Sequence, residues 1–307
     1  MPPTEPAPPP PATRRVDVAD GVGLHCTSWA PGAPGLPFVL VHGLASNART
    51  WEGVAQRMAA AGHPVATVDL RGHGRSDQPD GGYDLATLGD DLLRVLDVLD
   101  APDVLGPGRP VVVGQSMGGN LALDVGRRAG DRLAGVGGVD GGVIELARRF
   151  PDWEECADAL APPRWDGARA GDVEAAIRRD YPSWSEWGVE ATMANFAIGA
   201  DGTVRPHLAF DRHLRLLRSL WEHRPSEILD RLDVPVLLVV ATGPADGGPV
   251  TRADAQRAVA ALGRAQVHHV PNADHDVHVQ QPARVSELLL EAARDGFFHS
   301  GPGSFSE

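Results

Sequence analysis

Apolar positions along the chain keep changing period, and the changes mark its elements. Residues 14–20 alternate polar and apolar, and after a glycine turn residues 22–29 alternate again. Together they predict an antiparallel hairpin at one edge of a sheet. Residues 37–42 and 64–70 are short continuous apolar runs, the pattern of strands buried on both faces. Between them, residues 47–60 carry Trp51, Val54 and Met58 at helical spacing. Residues 85–99 read as an amphipathic helix on Leu88, Leu92, Val95, Leu96 and Leu99. A β-branched run over 109–113 and a glycine-rich run over 133–139 flank a further helical pattern on Leu121, Ala122 and Val125. Strands alternating with helices predict an α/β fold with a doubly wound, mostly parallel sheet.

The rhythm stops near residue 141. From there to 225 the pattern is helical but irregular, and five of the seven tryptophans fall in it: Trp153, Trp165, Trp184, Trp187 and Trp221. The alternation resumes with a strand over 235–241, a helix over 251–262, a strand over 265–270 and a helix over 283–294. One sheet with an insertion follows from this. Residues 14–141 and 226–295 form the core, and 142–225 form a helical cap. Residues 1–13 are a proline-rich arm and 296–307 a Gly/Ser tail, both expected to be flexible.

Composition removes whole classes of chemistry. The 307 residues contain 28 Lys plus Arg, all of them arginine, so the chain has no lysine. Schiff-base and pyridoxal-phosphate chemistry, a Ser–Lys dyad and a P-loop are excluded with it. The pattern G-x-G-x-x-G occurs nowhere, which argues against a dinucleotide cofactor. A net charge of -13 argues against nucleic acid or an anionic membrane as partner. Cys26 and Cys156 form neither a disulfide framework nor a zinc pattern. The N-terminal arm lacks the apolar core of a signal peptide, and no apolar run is long enough to span a bilayer, so a cytoplasmic protein is expected.

The chemistry centres on Gly114-Gln115-Ser116-Met117-Gly118. This stretch joins a predicted buried strand to a predicted helix, with glycine at both second neighbours of the serine. Side chains at those glycines would collide with the neighbouring elements, so the turn is a strained elbow that holds Ser116 Oγ in the open. A serine hydroxyl needs a base. Val270-Pro271-Asn272-Ala273-Asp274-His275-Asp276-Val277-His278 follows the last predicted strand and offers His275, with His278 as a rival or pocket-wall residue. A metal pair of His275 and His278 is not expected, and no metal or cofactor is called for. The oxyanion of an acyl-transfer intermediate needs two main-chain N–H donors. Met117 and Leu44, in the loop His42-Gly43-Leu44-Ala45, are the candidates, while His42, His73 and Arg75 read as structural.

With His42-Gly43, Asp69-Leu70-Arg71-Gly72-His73-Gly74-Arg75-Ser76, the elbow and Asp274-His275 in hand, residues 14–294 resemble the α/β-hydrolase superfamily. The resemblance implies a mostly parallel eight-stranded sheet with a helical cap inserted after the sixth strand. It also implies Ser–His–Asp catalysis without metal or cofactor, the acid preceding His275 in the chain. Asp246, after the seventh strand, is the favoured acid; Asp140, ending the sixth, is the alternative. The expected activity is hydrolysis of a carboxylic ester, a small-molecule acyl substrate, through an acyl-Ser116 intermediate. A cofactor-free haloperoxidase-like enzyme, a C–C bond hydrolase and an acyltransferase share that machinery, and a non-enzymatic small-molecule receptor could keep the triad. Trp184 and Trp187 are candidate pocket residues in the cap.

Overall fold

The structure, a computed structural model, describes residues 10–99, 105, 106, 108–243 and 248–298. In chain order its strands are β1 (Ala12–Ala19), β2 (Val22–Trp29), β3 (Phe38–Val41), β4 (Val65–Val68), β5 (Val111–Gln115), β6 (Gly135–Val139), β7 (Phe196–Ile198), β8 (Val204–Pro206), β9 (Val236–Thr242) and β10 (Ala265–Pro271). Its core helices are α1 (Glu52–Ala60), α2 (Leu85–Leu99) and α3 (Met117–Ala129), and those between β6 and β9 are α4 (Leu146–Arg149), α5 (Trp153–Leu160), α6 (Ala170–Asp180), α7 (Glu186–Met193) and α8 (Phe210–Glu222). The chain closes with α9 (Arg252–Ala261), α10 (Val277–Gln280) and α11 (Pro282–Arg294).

Eight strands make one sheet in the order β1-β2-β4-β3-β5-β6-β9-β10. β1 pairs antiparallel with β2, and β2 antiparallel with β4, while every pair from β4 to β10 is parallel. The period of two along each strand decides which face a side chain enters. In β3, Phe38 and Leu40 pack on one face and Val39 and Val41 on the other. In β9, Leu237 and Val239 go with the first set and Val236, Leu238 and Val240 with the second. Trp51, Val54 and Met58, with Leu288 and Leu289 of α11, cover the first face; Leu88, Leu92, Val95, Leu121 and Val125 of α2 and α3 cover the second. These are the apolar positions that the periodicity singles out.

Three features depart from the sequence reading. The segment between β6 and β9 is not wholly helical, because β7 and β8 pair there as a short antiparallel ribbon. β1 starts at Ala12, inside the arm expected to be flexible, and pairs with β2 from Ala12↔Ser28 onward. At the other end, Phe297 and Phe298 belong to the core rather than to a tail: Phe298 is 1% exposed and sits edge-on to Phe38 at 6.3 Å. Residues 1–9 and 299–307 lie outside the described residues. Among the described residues no helix is long and apolar enough to cross a membrane.

Candidate active site

Ser116 follows β5 directly and precedes α3, so it is the hinge of a strand-to-helix reversal. Its backbone carries φ 53 and ψ -123, a conformation that a non-glycine residue occupies only when its surroundings enforce it. The two glycines supply the enforcement. A Cβ on Gly114 would stand 2.0 Å from the Gly118 carbonyl, and one on Gly118 would stand 2.5 Å from the His42 carbonyl oxygen. The elbow therefore closes only with hydrogen at both places. Ser116 N–H donates to the Val139 carbonyl at 3.1 Å, tying the elbow to the end of β6.

Gln115 of β5 is paired with Val139 of β6, so the next residues, Ser116 and Asp140, leave neighbouring strands at the same level. Asp140 is fully buried and, like Ser116, has a positive φ, 42. Its Oδ1 accepts from Ala241 N–H at 3.1 Å, and its Oδ2 accepts from Nδ1 of His275 at 2.7 Å. Among the described residues the carboxylate that meets His275 is Asp140, the alternative acid on sequence; Asp246, the favoured one, lies outside the described residues. The register brings Asp140 there: it follows the strand beside that of Ser116, and the Ala241 main chain fixes its other oxygen. With Nδ1 donating to Asp140, Nε2 of His275 keeps its lone pair, and the Gln115 amide N–H donates to it at 3.3 Å. Burial works to lower the His275 pKa, but the hydrogen bond to Asp140 and the nearby charges of Asp276 and Asp140 outweigh it, and the net shift is upward.

The loop after β3 hangs on two buried histidines, His42 and His73. His42 is fully buried, donates Nδ1–H to the Gly43 carbonyl at 2.7 Å and accepts Leu70 N–H at Nε2, 3.0 Å. His73 donates to the Arg71 carbonyl at 2.9 Å and accepts Ala45 N–H at 3.3 Å. Burial pushes His73 down to about 3, so its Nε2 lone pair stays available to hold the loop. A Cβ on Gly43 would stand 3.0 Å from Ser116 Cβ, which brings Leu44 to the serine. Met117 opens α3, so its N–H has no intrahelical acceptor. Leu44, Ser116 and His275 all line one cavity of about 940 Å³ beneath the segment between β6 and β9.

The remaining candidates divide. Trp184 lines that cavity and stacks on Tyr181 with ring centroids 4.0 Å apart. Trp187 does not line it; its ring packs over Gly53 of α1 and its Nε1–H donates to Glu52 at 3.3 Å, pinning α7 to the core. His278 is also no wall residue: it is fully buried with its ring 4.5 Å from that of Trp51, and burial pushes it down to about 3. An indole or imidazole at helical spacing has an apolar body that serves a core as well as a pocket, and spacing alone does not separate the two. Sequence reasoning missed Gln115, Asp276, Arg164, Arg205, Arg212 and His213, all of which line the cavity. Gln115 could have been found from its place before the serine; the arginines of the irregular segment carry no local signal. Among the described residues no cluster of three or more His, Cys, Asp or Glu side chains could hold a metal ion.

Comparison with known proteins agrees with this architecture. The chain is 29% identical over 239 residues to a non-heme chloroperoxidase of Streptomyces lividans, covering 74% of this chain and 80% of that one. It is 27% identical over 292 residues to an esterase of Mycobacterium tuberculosis, covering 87% and 85%. Among solved structures, E-2-(acetamidomethylene)succinate hydrolase superposes with a TM-score of 0.73 at 22% identity, covering 92% of this chain and 98% of that one. The thioesterase domain from the curacin biosynthetic pathway does so with a TM-score of 0.73 at 21% identity, over 92% and 100%. The sequence profile of the alpha/beta hydrolase family matches residues 38–288, and with the elbow, the buried Asp140–His275 pair and the eight-stranded sheet it establishes that this chain belongs to the alpha/beta hydrolase family.

Proposed function

We propose that this protein hydrolyses a carboxylic ester through a covalent acyl-Ser116 intermediate. The observation that carries the proposal is Ser116 on its strained elbow, sharing a cavity with a histidine whose far nitrogen is bound to buried Asp140. His275 Nε2 takes the proton as Ser116 Oγ attacks the carbonyl carbon, and the carbonyl π electrons move onto oxygen. Leu44 N–H and Met117 N–H donate to that oxyanion. The intermediate collapses, the C–O bond to the alcohol breaks, and His275 returns the proton to the leaving oxygen. Water, deprotonated by His275, repeats the sequence on the acyl-enzyme and releases the acid. Asp140 holds the His275 proton on Nδ1 and stabilises the imidazolium. No resident cofactor enters any step.

A fluorophosphonate probe, which phosphonylates an activated serine with loss of fluoride, tests this. Wild type should label at Ser116 and Ser116→Ala should not, with para-nitrophenyl ester turnover lost in parallel. Labelling at a different serine would refute the assignment. The similarity to the chloroperoxidase favours a second reading built on the same acyl-enzyme, with hydrogen peroxide in place of water as the acceptor. Peracid formed from a simple carboxylic acid and peroxide, and lost in Ser116→Ala, would distinguish it.

A further inference from the structure

The cavity wall is of two kinds. Tyr181, Trp184 and Val279 supply apolar and aromatic lining, and Ala209 and Phe210 bring the start of α8 to the wall. α8 runs for 13 residues and has no side-chain cap at its N-terminus, so its first N–H groups meet no capping oxygen. Asp211, in the first turn, pairs with exposed Arg215 at 3.2 Å instead.

Cations line the same cavity. Arg164 lies 3.8 Å over the ring of Phe210, and Arg205 sits on β8 just before α8; neither has a carboxylate partner among the described residues. Arg212, mostly buried, donates to the Gln78 carbonyl and to Asp80, each at 3.1 Å. His213 is 5% exposed, lines the cavity and has no hydrogen-bond partner at either ring nitrogen. The Leu160 main chain approaches it without closing a bond of good geometry. Burial pushes His213 down to about 4, so at neutral pH it is an uncharged ring with one free N–H. Two carboxylates face the same cavity, Asp166 and Asp276, and the second lies next to His275 in the chain. In a chain of net charge -13, three guanidiniums, an unpartnered imidazole and an uncapped helix N-terminus around one cavity are not an average surface.

We propose that the substrate carries a carboxylate remote from its scissile carbonyl, and that Arg164, Arg205, Arg212, His213 and the N-terminus of α8 seat that carboxylate while Ser116 attacks the ester. The inference rests on the acyl-Ser116 reading and adds the substrate class to it. Guanidinium fits a carboxylate with two parallel hydrogen bonds, and the helix N-terminus adds to the field. Arg164 and Arg205 are solvent-exposed, and both line the cavity.

The test compares anionic substrates with neutral ones of matching size. Para-nitrophenyl hydrogen adipate is set against para-nitrophenyl hexanoate for a carboxylate on the acyl side, and para-acetoxybenzoate against its methyl ester for one on the alcohol side. In at least one pair, wild type should prefer the anion in kcat/KM by about tenfold or more at low salt. High salt and the exposed double variant Arg164→Ala/Arg205→Ala should each pull that ratio towards one. Ratios near one in both pairs, with Ser116 still labelled and the neutral esters still turned over, would overturn this inference alone. A preference that survives the double variant would overturn the assignment to these arginines. No Ser116-dependent labelling or turnover of any ester would overturn the reading beneath it.

Discussion

Asp140→Asn is the substitution whose consequence the geometry states most completely. Asp140 is fully buried and both carboxylate oxygens are used, Oδ1 by Ala241 N–H at 3.1 Å and Oδ2 by His275 Nδ1 at 2.7 Å. Asparagine offers one acceptor and one donor in the same space. Its carbonyl must face Ala241 N–H, since the reverse would set two donors against each other in a buried site, at about 1–3 kcal/mol. The amide NH2 then faces His275 Nδ1 and forces it to accept, so the ring proton moves to Nε2 and points at the serine. The base has become a donor. A wrong tautomer of this kind costs about four orders of magnitude in turnover, or about 5.4 kcal/mol of barrier. The His275 pKa also loses the interaction that raises it, so the acid limb of the residual pH–rate profile should move to lower pH. Kinetics on one para-nitrophenyl ester, with thermal melts confirming the fold, measure both effects. Asp246→Asn serves as the comparison and, with Asp140 as the proposed acid, should keep turnover within about threefold of wild type. Near-normal turnover in Asp140→Asn would refute the reasoning, and collapse in Asp246→Asn would move the acid to the loop after β9.

Other outcomes follow from the same contacts. Gly118→Ala should destabilise the fold by about 3 kcal/mol or more, because its Cβ would meet main-chain carbonyls that have nowhere to go; a normal melting temperature would contradict the close packing of the elbow. His278→Leu should leave stability unchanged or raise it by about 1 kcal/mol in chemical denaturation, since both ring nitrogens are buried without partners. His73, His213 and His278 have folded-state pKa values pushed to about 3, 4 and 3, below the ordinary 6.5, so the unfolded chain binds their protons first as pH falls. Stability should therefore drop as pH falls below 6.5, by about 4 kcal/mol per unit once the unfolded histidines are fully charged, and denaturant midpoints measured at several pH values would record it. Trp184→Ala should change the preference between long and short acyl esters, whereas Trp187→Ala should lower the melting temperature with little change in that preference, because only the first ring lines the cavity.

Much of this molecule is written in short-range pattern. The period of two in β3 and β9, the period of 3.6 in α2 and the glycine spacing of the elbow are local consequences of local residues, and each reappears where the sequence puts it. The place of His275 was legible because a loop after the last strand is where a side chain can reach the cavity beside Ser116. The acid was not legible in the same way. Asp140 and Asp246 both follow strands, and nothing within a few residues of either says which one reaches Nδ1; that depends on strand order, a property of the whole sheet. Val139-Asp140-Gly141-Gly142 did hold a hint, since an aspartate followed by two glycines suits the positive φ that Asp140 adopts. β7 and β8 escaped notice because three residues are too few to display alternation, although Asp201-Gly202 between them is a turn signal. Phe297 and Phe298 were assigned by the company they keep in sequence, and the core claimed them by size.

The position of Asp140 has a consequence for how this chain can diverge. Ser116 and Asp140 leave adjacent parallel strands one step beyond a register pair, so their spacing is set by the lattice of the sheet rather than by the shape of a loop. With Asp140 as the proposed acid, the chain after β9 need supply no carboxylate to His275. On that reading a library of length variants after β9 should keep ester turnover, because the pairing of Asp140 with His275 rests on sheet register.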